Sequence, residues 1–222
     1  MRSVFIPLFL LILCPSFAAA GSFEDGTLLF LENSSNIVEC YTDSTYTHVA
    51  IILSDEKGEQ WLYNAEPPKV RKYRVLEYFE SIGKMNESTK SKVITSIVRP
   101  QQPYTKDEVA SMRAYLDGQV GRRYSIRGYL RKIAGDGIHC SEMCAAAVES
   151  TGRHNFTRSN YQISPGYLQK VTSLSHRQQG KKLLVETKKK DRQSLCSRWS
   201  AWWGERGTLC GWSCWETLRF CW

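Results

Sequence analysis

The chain has little that a fibrous or repetitive protein needs. Its 222 residues show no Gly-X-Y period, no heptad run and no repeat of fixed length, which excludes collagen, coiled-coil and solenoid architectures. It is not poor in apolar residues either. With 42% hydrophobic and 23% charged residues it has the composition of a globular chain, so a wholly disordered one is excluded. Beyond the N-terminus no apolar run approaches the roughly 20 residues that a spanning helix takes. Histidine is scarce, at four residues. A basic surface spread over the body is missing as well. The net charge is +8, but 176–198 holds eight basic residues against two acidic ones and so carries +6 of it. The charge describes one segment, and no nucleic-acid partner is expected, since that would call for basic residues across the folded surface.

What is present begins with Met1-Arg2, an apolar run from Val4 to Cys14, and Ala18-Ala19-Ala20. A basic start, a short apolar core and a small-residue end read as a secretory signal, cut after Ala20. The chain is therefore expected to be secreted or extracytoplasmic. Residues 21–175 read as one folded domain, 176–195 as a basic linker and 196–222 as a separate tail. Six of the seven tryptophans and four of the eight cysteines fall in that tail. It admits three readings: a small disulfide-stapled module, a poorly ordered terminus, or a membrane-interface segment whose basic neighbours attract anionic lipid. An oxidising compartment permits disulfides. Seven cysteines remain after cleavage, so at least one stays free or pairs with another chain, and pairing of the other six would leave Cys140 free. Asn33, Asn86 and Asn155 head glycosylation sequons.

Along the body, Thr27–Leu31 and Thr47–Leu53 read as buried strands. Polar residues 54–59, with Gly58, form a turn, and Gln60–Ala65 returns beside the second strand. Val70–Val75 resumes it after Pro67-Pro68, and Val93–Pro100 is a further strand. Helices follow. Thr105 with Glu108 is a capping box opening a helix toward Val120, and Cys140–Thr151 is a helix stopped by Gly152. Strands first and helices around them make the class α+β.

Cys140 sits where a glycine-containing loop, 134–139, meets a helix start. A thiol there faces unpaired N–H groups and the positive end of the helix dipole, which favour the thiolate. The loop glycines allow a sharp turn onto the helix. The same N–H groups are placed to receive an oxyanion. A disulfide or a core thiol remains the other reading of Cys140. Cys144, one turn on, reads as core or disulfide. His139-Cys140 with Cys144 is a poor metal-ligand set by spacing, so no metal or cofactor is expected. Of the four histidines, His139 adjoins Cys140 and should point elsewhere, while His154 and His176 lie in polar, loop-like segments. His48 opens a buried apolar strand, an unusual place for a polar ring. On the returning strand Asn64 lies at the end far from the turn, as His48 does on its own strand, which makes it the better orienting partner. Glu66, on the same face, is the runner-up.

Asp25-Gly26-Thr27-Leu28-Leu29-Phe30, Thr47-His48-Val49-Ala50-Ile51-Ile52, Tyr63-Asn64-Ala65-Glu66-Pro67-Pro68-Lys69-Val70, Gly121-Arg122-Arg123-Tyr124 and Cys140-Ser141-Glu142 follow one another in this chain. In that order they resemble the circularly permuted papain-like hydrolases. These are the YiiX/YaeF-type relatives of the NlpC cell-wall peptidases, akin to the lecithin–retinol acyltransferases. The likeness spans about residues 23–170. It implies a permuted papain-like fold, with an antiparallel sheet packed on helices, the histidine strand first and the cysteine helix last. It also implies Cys140 as nucleophile, His48 as base and a polar third residue, here Asn64, where members often carry an acid. The expected function is a secreted thiol hydrolase cleaving amide bonds through an acyl-enzyme. Its substrate would be a peptide, a peptidoglycan stem or a lipid-like acyl group. A non-catalytic binding domain on the same fold, or a lipid acyltransferase or acylhydrolase, are the alternatives.

Overall fold

Short, strongly apolar runs at the start of the chain form its central strands. The computed structural model describes residues 22–42, 44–178 and 182–186. The signal-like N-terminus and the cysteine- and tryptophan-rich tail lie outside them. β1 (Thr27–Glu32) and β2 (Tyr46–Ser54) pair antiparallel, and β3 (Gln60–Glu66) returns from the turn at 55–59. β4 (Lys69–Arg74) flanks β3, and β5 (Ile94–Pro100) flanks β1. β6 (His176–Gln178) and β7 (Leu183–Leu184) both add to β5. The sheet order is β4-β3-β2-β1-β5-β6, all antiparallel.

Six α-helices accompany the sheet among the described residues: α1 (Asn36–Thr42), α2 (Val75–Ser88), α3 (Lys106–Gln119), α4 (Arg127–Arg131), α5 (Cys140–Glu149) and α6 (Pro165–Thr172). The class is α+β, with helices on both faces of an antiparallel sheet. On one face Val49, Ile51 and Tyr63 pack with Met112 and Leu116 of α3 and with Met143 and Ala147 of α5. On the other, Ala50, Ile52 and Leu62 meet Tyr78 and Ile82 of α2. Burial on both faces explains why β1 and β2 read as continuous apolar runs rather than alternating ones.

The sequence pattern does not foretell α2. Its buried face repeats at Val75, Tyr78, Ile82, Gly83 and Asn86, so an amide and a glycine stand where apolar residues would mark it. Asn86 explains its own place. Its Nδ2 donates to the Val93 carbonyl at 3.1 Å and to the Val185 carbonyl at 2.9 Å, and its Oδ1 accepts from the Val93 N–H at 2.7 Å. It ties α2 to the start of β5 and to the segment after β7. A side chain 4% exposed and fully engaged has no room for a glycan, so the sequon reading fails at Asn86 in the folded chain. Asn86→Ala strands a buried N–H and removes three hydrogen bonds, and should cost about 3 kcal/mol, read as a lower thermal midpoint.

The fold runs past Ser175, where the sequence placed the domain end. The sheet continues through β6 and β7, and the compact unit runs to Glu186. His176, read as a loop residue, is buried at 2% exposure. Its Nε2 lies 3.5 Å from the Tyr104 hydroxyl and its Nδ1 lies 2.9 Å from the Ser175 hydroxyl. Burial and the neighbouring His154 push it down to about 4, so it is neutral at physiological pH. Lys182 pairs with Glu32 at 2.5 Å across the sheet. The polar sequence that suggested a linker is that of a short edge, where water faces one side.

Among the described residues no disulfide forms. Cys40 is an exposed thiol, and Cys140 and Cys144 are buried ones. The pairing scheme that would leave only Cys140 free is thus not seen for Cys40 and Cys144.

Candidate active site

His48 lies near the start of β2, and Asn64 near the end of β3. β2 and β3 run antiparallel with Ile51 opposite Tyr63, which leaves His48 and Asn64, both far from the connecting turn, diagonal to one another across the strand pair. The His48 Nε2–H donates to Asn64 Oδ1 at 2.6 Å. That bond leaves Nδ1 as the nitrogen free to face a thiol. Glu66, the runner-up, instead accepts from the Tyr73 hydroxyl at 2.5 Å and acts on His48 only through its charge. Asn64 is fully buried and its Nδ2 has no hydrogen-bond partner among the described residues.

Cys140 is the first residue of α5, with His139 as N-cap. The glycines before it play a different part from the one expected. Gly135 and Gly137 are absent from the positive-φ positions. Gly137 is needed for closeness: a Cβ there would stand 2.3 Å from that of Ser125 and 3.1 Å from the Arg123 carbonyl. The chain at 137 is bound to 123 and 125 by the bonds Ile138 N–H to the Arg123 carbonyl at 3.0 Å and Ser125 N–H to the Ile138 carbonyl at 3.1 Å. This locks the approach to α5 and fixes where the thiol points.

The thiol and the His48 ring interact directly, by charge and by hydrogen bonding. Burial alone would push the Cys140 thiol up. The His48 charge and hydrogen bonds from His139 and His48 outweigh it and bring the thiol down to about 5. Burial likewise works to lower His48, but the thiolate, Asn64 and Glu66 raise it above its ordinary value. The two shifts describe one state, a thiolate beside an imidazolium, each stabilising the other's charge. Helix geometry adds to it, since the first-turn N–H groups of Cys140 and Ser141 have no intrahelical acceptor. Cys144 shows the contrast one turn away. Burial and the neighbouring Cys140 hold its thiol well above the ordinary range, and it faces the Val49 carbonyl at 3.8 Å. It is a core residue.

His139 does not point away from the site as expected. Its Nδ1 accepts from the Glu142 N–H at 3.3 Å and its Nε2 donates to the Tyr161 carbonyl at 3.1 Å, and the ring lines the cleft beside Cys140, where it helps hold the thiol down. Two imidazoles therefore attend one thiol. Adjacency in sequence hid this, because an N-cap side chain folds back over the first turn. The site also includes a narrow cleft of about 30 Å3 beside Cys140, with Val38, Tyr41, Tyr124, Ile126, Leu130 and Ile163 among its walls. Of these only Tyr124 belongs to a segment that the sequence reading singled out. Among the described residues no cluster of three or more His, Cys, Asp and Glu side chains is set to hold a metal ion.

Fold and site together give a Cys–His–Asn centre on an α+β frame, the histidine strand preceding the cysteine helix. No family model and no curated protein matches the chain. A solved structure described as the metalloprotein YiiX from Escherichia coli O157:H7 is similar in part. It is 13% identical with a TM-score of 0.46, over 58% of this chain and 66% of that one. The match thus spans just under two thirds of that protein.

Proposed function

We propose that the protein is an exported thiol hydrolase that cleaves an acyl–nitrogen bond through an acyl-enzyme on Cys140. One observation carries the reading: His48 stands between Asn64 Oδ1 at 2.6 Å and a thiol brought down to about 5. The Met1–Ala20 signal pattern supports export.

The Cys140 thiolate attacks the carbonyl carbon, and the carbonyl electrons move to oxygen. The N–H groups at the start of α5 face that oxyanion. The His48 imidazolium gives its proton to the leaving amine as the C–N bond breaks, leaving a thioester and a neutral ring. The ring then takes a proton from water, whose oxygen attacks the thioester, and the carboxylic acid departs as the thiolate is restored. Asn64 holds the ring by accepting from Nε2–H in every step, which keeps Nδ1 toward sulfur. Peptide, peptidoglycan-stem and lipid-like acyl substrates all satisfy this chemistry. The apolar walls of the cleft favour an aliphatic or aromatic group on the acyl side, which also supports an acylhydrolase acting on an ester.

A thiol-directed electrophile applied to the mature protein at pH 6 tests the reading. Cys140 should be labelled first, ahead of exposed Cys40, because the thiolate is the reactive form. Labelling of Cys40 with Cys140 untouched would end the hydrolase reading.

A further inference from the structure

The surface around the mouth of the cleft sets exposed apolar side chains close to exposed cations. α4 and the residues after it, 127–133, form its outer wall. Leu130 is 41% exposed, Ile133 56% and, across the mouth, Tyr41 59%. Apolar side chains of this size left in water mark a surface that meets something. The cleft shares Tyr41, Tyr129 and Leu130 with an open basin whose remaining wall includes Lys132 and Arg158. On the far side of α4 a second hollow is lined by Arg123, Arg127, Arg131 and Ile133.

Charge identifies what that something is. The residues lining the basin and the hollow include five cations, Arg123, Arg127, Arg131, Lys132 and Arg158, and one carboxylate, Asp136. None of these cations forms an ion pair among the described residues. Arg158 spends its face on the Tyr167 ring, at 4.2 Å, which holds it at the rim. Lys132 closes α4 in the left-handed conformation at φ 56°, so the chain turns there between the two apolar side chains Leu130 and Ile133. Exposed aliphatic and aromatic groups set among unpaired cations are the composition of an interfacial anchor. The apolar groups enter the acyl boundary while the cations meet anionic headgroups. A nucleic acid would use the cations and leave Leu130 and Ile133 in water.

We propose that this rim docks on an anionic lipid surface, with α4 lying in the interface and the Cys140 cleft opening toward the lipid. The docking does not depend on the hydrolase reading, since no reacting group takes part. It also places lipid contact on the folded body, whereas the sequence alone suggested the tail.

The experiment is flotation of the full mature chain with vesicles of phosphatidylcholine containing about one third phosphatidylserine, against phosphatidylcholine alone. Wild type and Cys140→Ala should bind the anionic vesicles equally. Arg127→Ala/Arg131→Ala should weaken partitioning about 30-fold, at roughly fivefold per cation near the surface, and flatten its salt dependence. Ile133→Ser should weaken it while leaving the salt dependence unchanged. Arg127, Arg131 and Ile133 are all exposed, so the thermal midpoints of their variants should stay within a degree or two of wild type, and the arginine variant should keep its turnover on a soluble substrate. Unchanged binding by both variants would overturn the proposal, because the contact would then lie elsewhere. Absence of binding by wild type would overturn it as well. So would retention on a polyglutamate column that the arginine variant loses while its vesicle binding persists, since the rim would then be a face for acidic protein.

Discussion

Cys140→Ser should lower turnover on the order of 10⁴-fold or more with the fold intact, the loss seen when an acyl-transfer nucleophile is removed and only binding and the oxyanion site remain. Alkylation of the thiol in a His48→Ala variant gives a sharper test, because it removes the His48 charge and hydrogen bond and leaves the thiol in place. With the imidazolium present the thiol is brought down to about 5, so at pH 6 it is mostly thiolate. Without the imidazolium it returns toward roughly 8.5, and the thiolate fraction falls about 300-fold. A thiolate of higher pKa is intrinsically more nucleophilic, which restores about 40-fold for a Brønsted slope near 0.45. The net expectation is alkylation about tenfold slower at pH 6, measured by mass spectrometry of the labelled peptide. Turnover should lose far more, since proton delivery to the leaving group is lost too. The pH profile has a fixed sign. Activity falls as pH drops through about 5, where the thiolate protonates, and falls again as pH rises past the raised value of His48, where the proton donor is spent. A profile with no acid limb below neutrality would contradict the ion pair.

Cutting the chain after Ser175 should destabilise it, while cutting after Glu186 should not. The shorter cut removes β6 and β7, and with them the buried His176, the Lys182–Glu32 pair and the Val185 carbonyl that Asn86 holds. β5 is left as an exposed edge whose neighbouring apolar side chains lose their cover. A loss of about 4 kcal/mol is expected, or a thermal midpoint lower by roughly 10 °C for a domain of this size. The longer cut ends where the compact unit ends. His176 adds a pH signature. In the unfolded chain it takes a proton near 6.5, but in the folded chain only near 4. The unfolded state therefore binds more protons between those values, and the stability this histidine provides is lost as pH falls through that window. Replacing it by phenylalanine should flatten that part of the curve. Equal midpoints for the two truncations would show that the edge strands contribute nothing.

The elements legible from sequence are those whose signal is local. β1, β2, β3 and β5 announce themselves as apolar runs bounded by turn residues, α3 by its Thr105–Glu108 capping box, and α5 by its apolar spacing and the Gly152 stop. The pairing of His48 with Asn64 needs only the turn position and a period of two. What escapes depends on partners far away in the chain. α2 starts at Arg74 with no side-chain cap and buries an asparagine that is intelligible only once Val93 and Val185 are beside it. β6 and β7 look like linker because their burial comes from β5 and Tyr104, not from their own composition. α6 carried a readable start, Ser164 before Pro165, that the apolar pattern alone did not bring out. The second imidazole at the thiol is hidden for a different reason, since neighbours in sequence are ordinarily read as diverging.

The unpartnered Nδ2 of Asn64 has an evolutionary consequence. Its Oδ1 bonds His48, and among the described residues the nitrogen beside it has no partner. An aspartate would occupy the same volume, keep the contact with His48 and forfeit no existing bond. Asparagine and aspartate codons differ by a single base, and slow deamidation makes the same change without any mutation. The chain therefore sits one elementary step from a carboxylate-supported histidine, which would hold its proton to higher pH. The step breaks no hydrogen bond of the amide nitrogen, which has none among the described residues. Selection can move the alkaline limit of the site in either direction by exchanging one atom of one buried side chain.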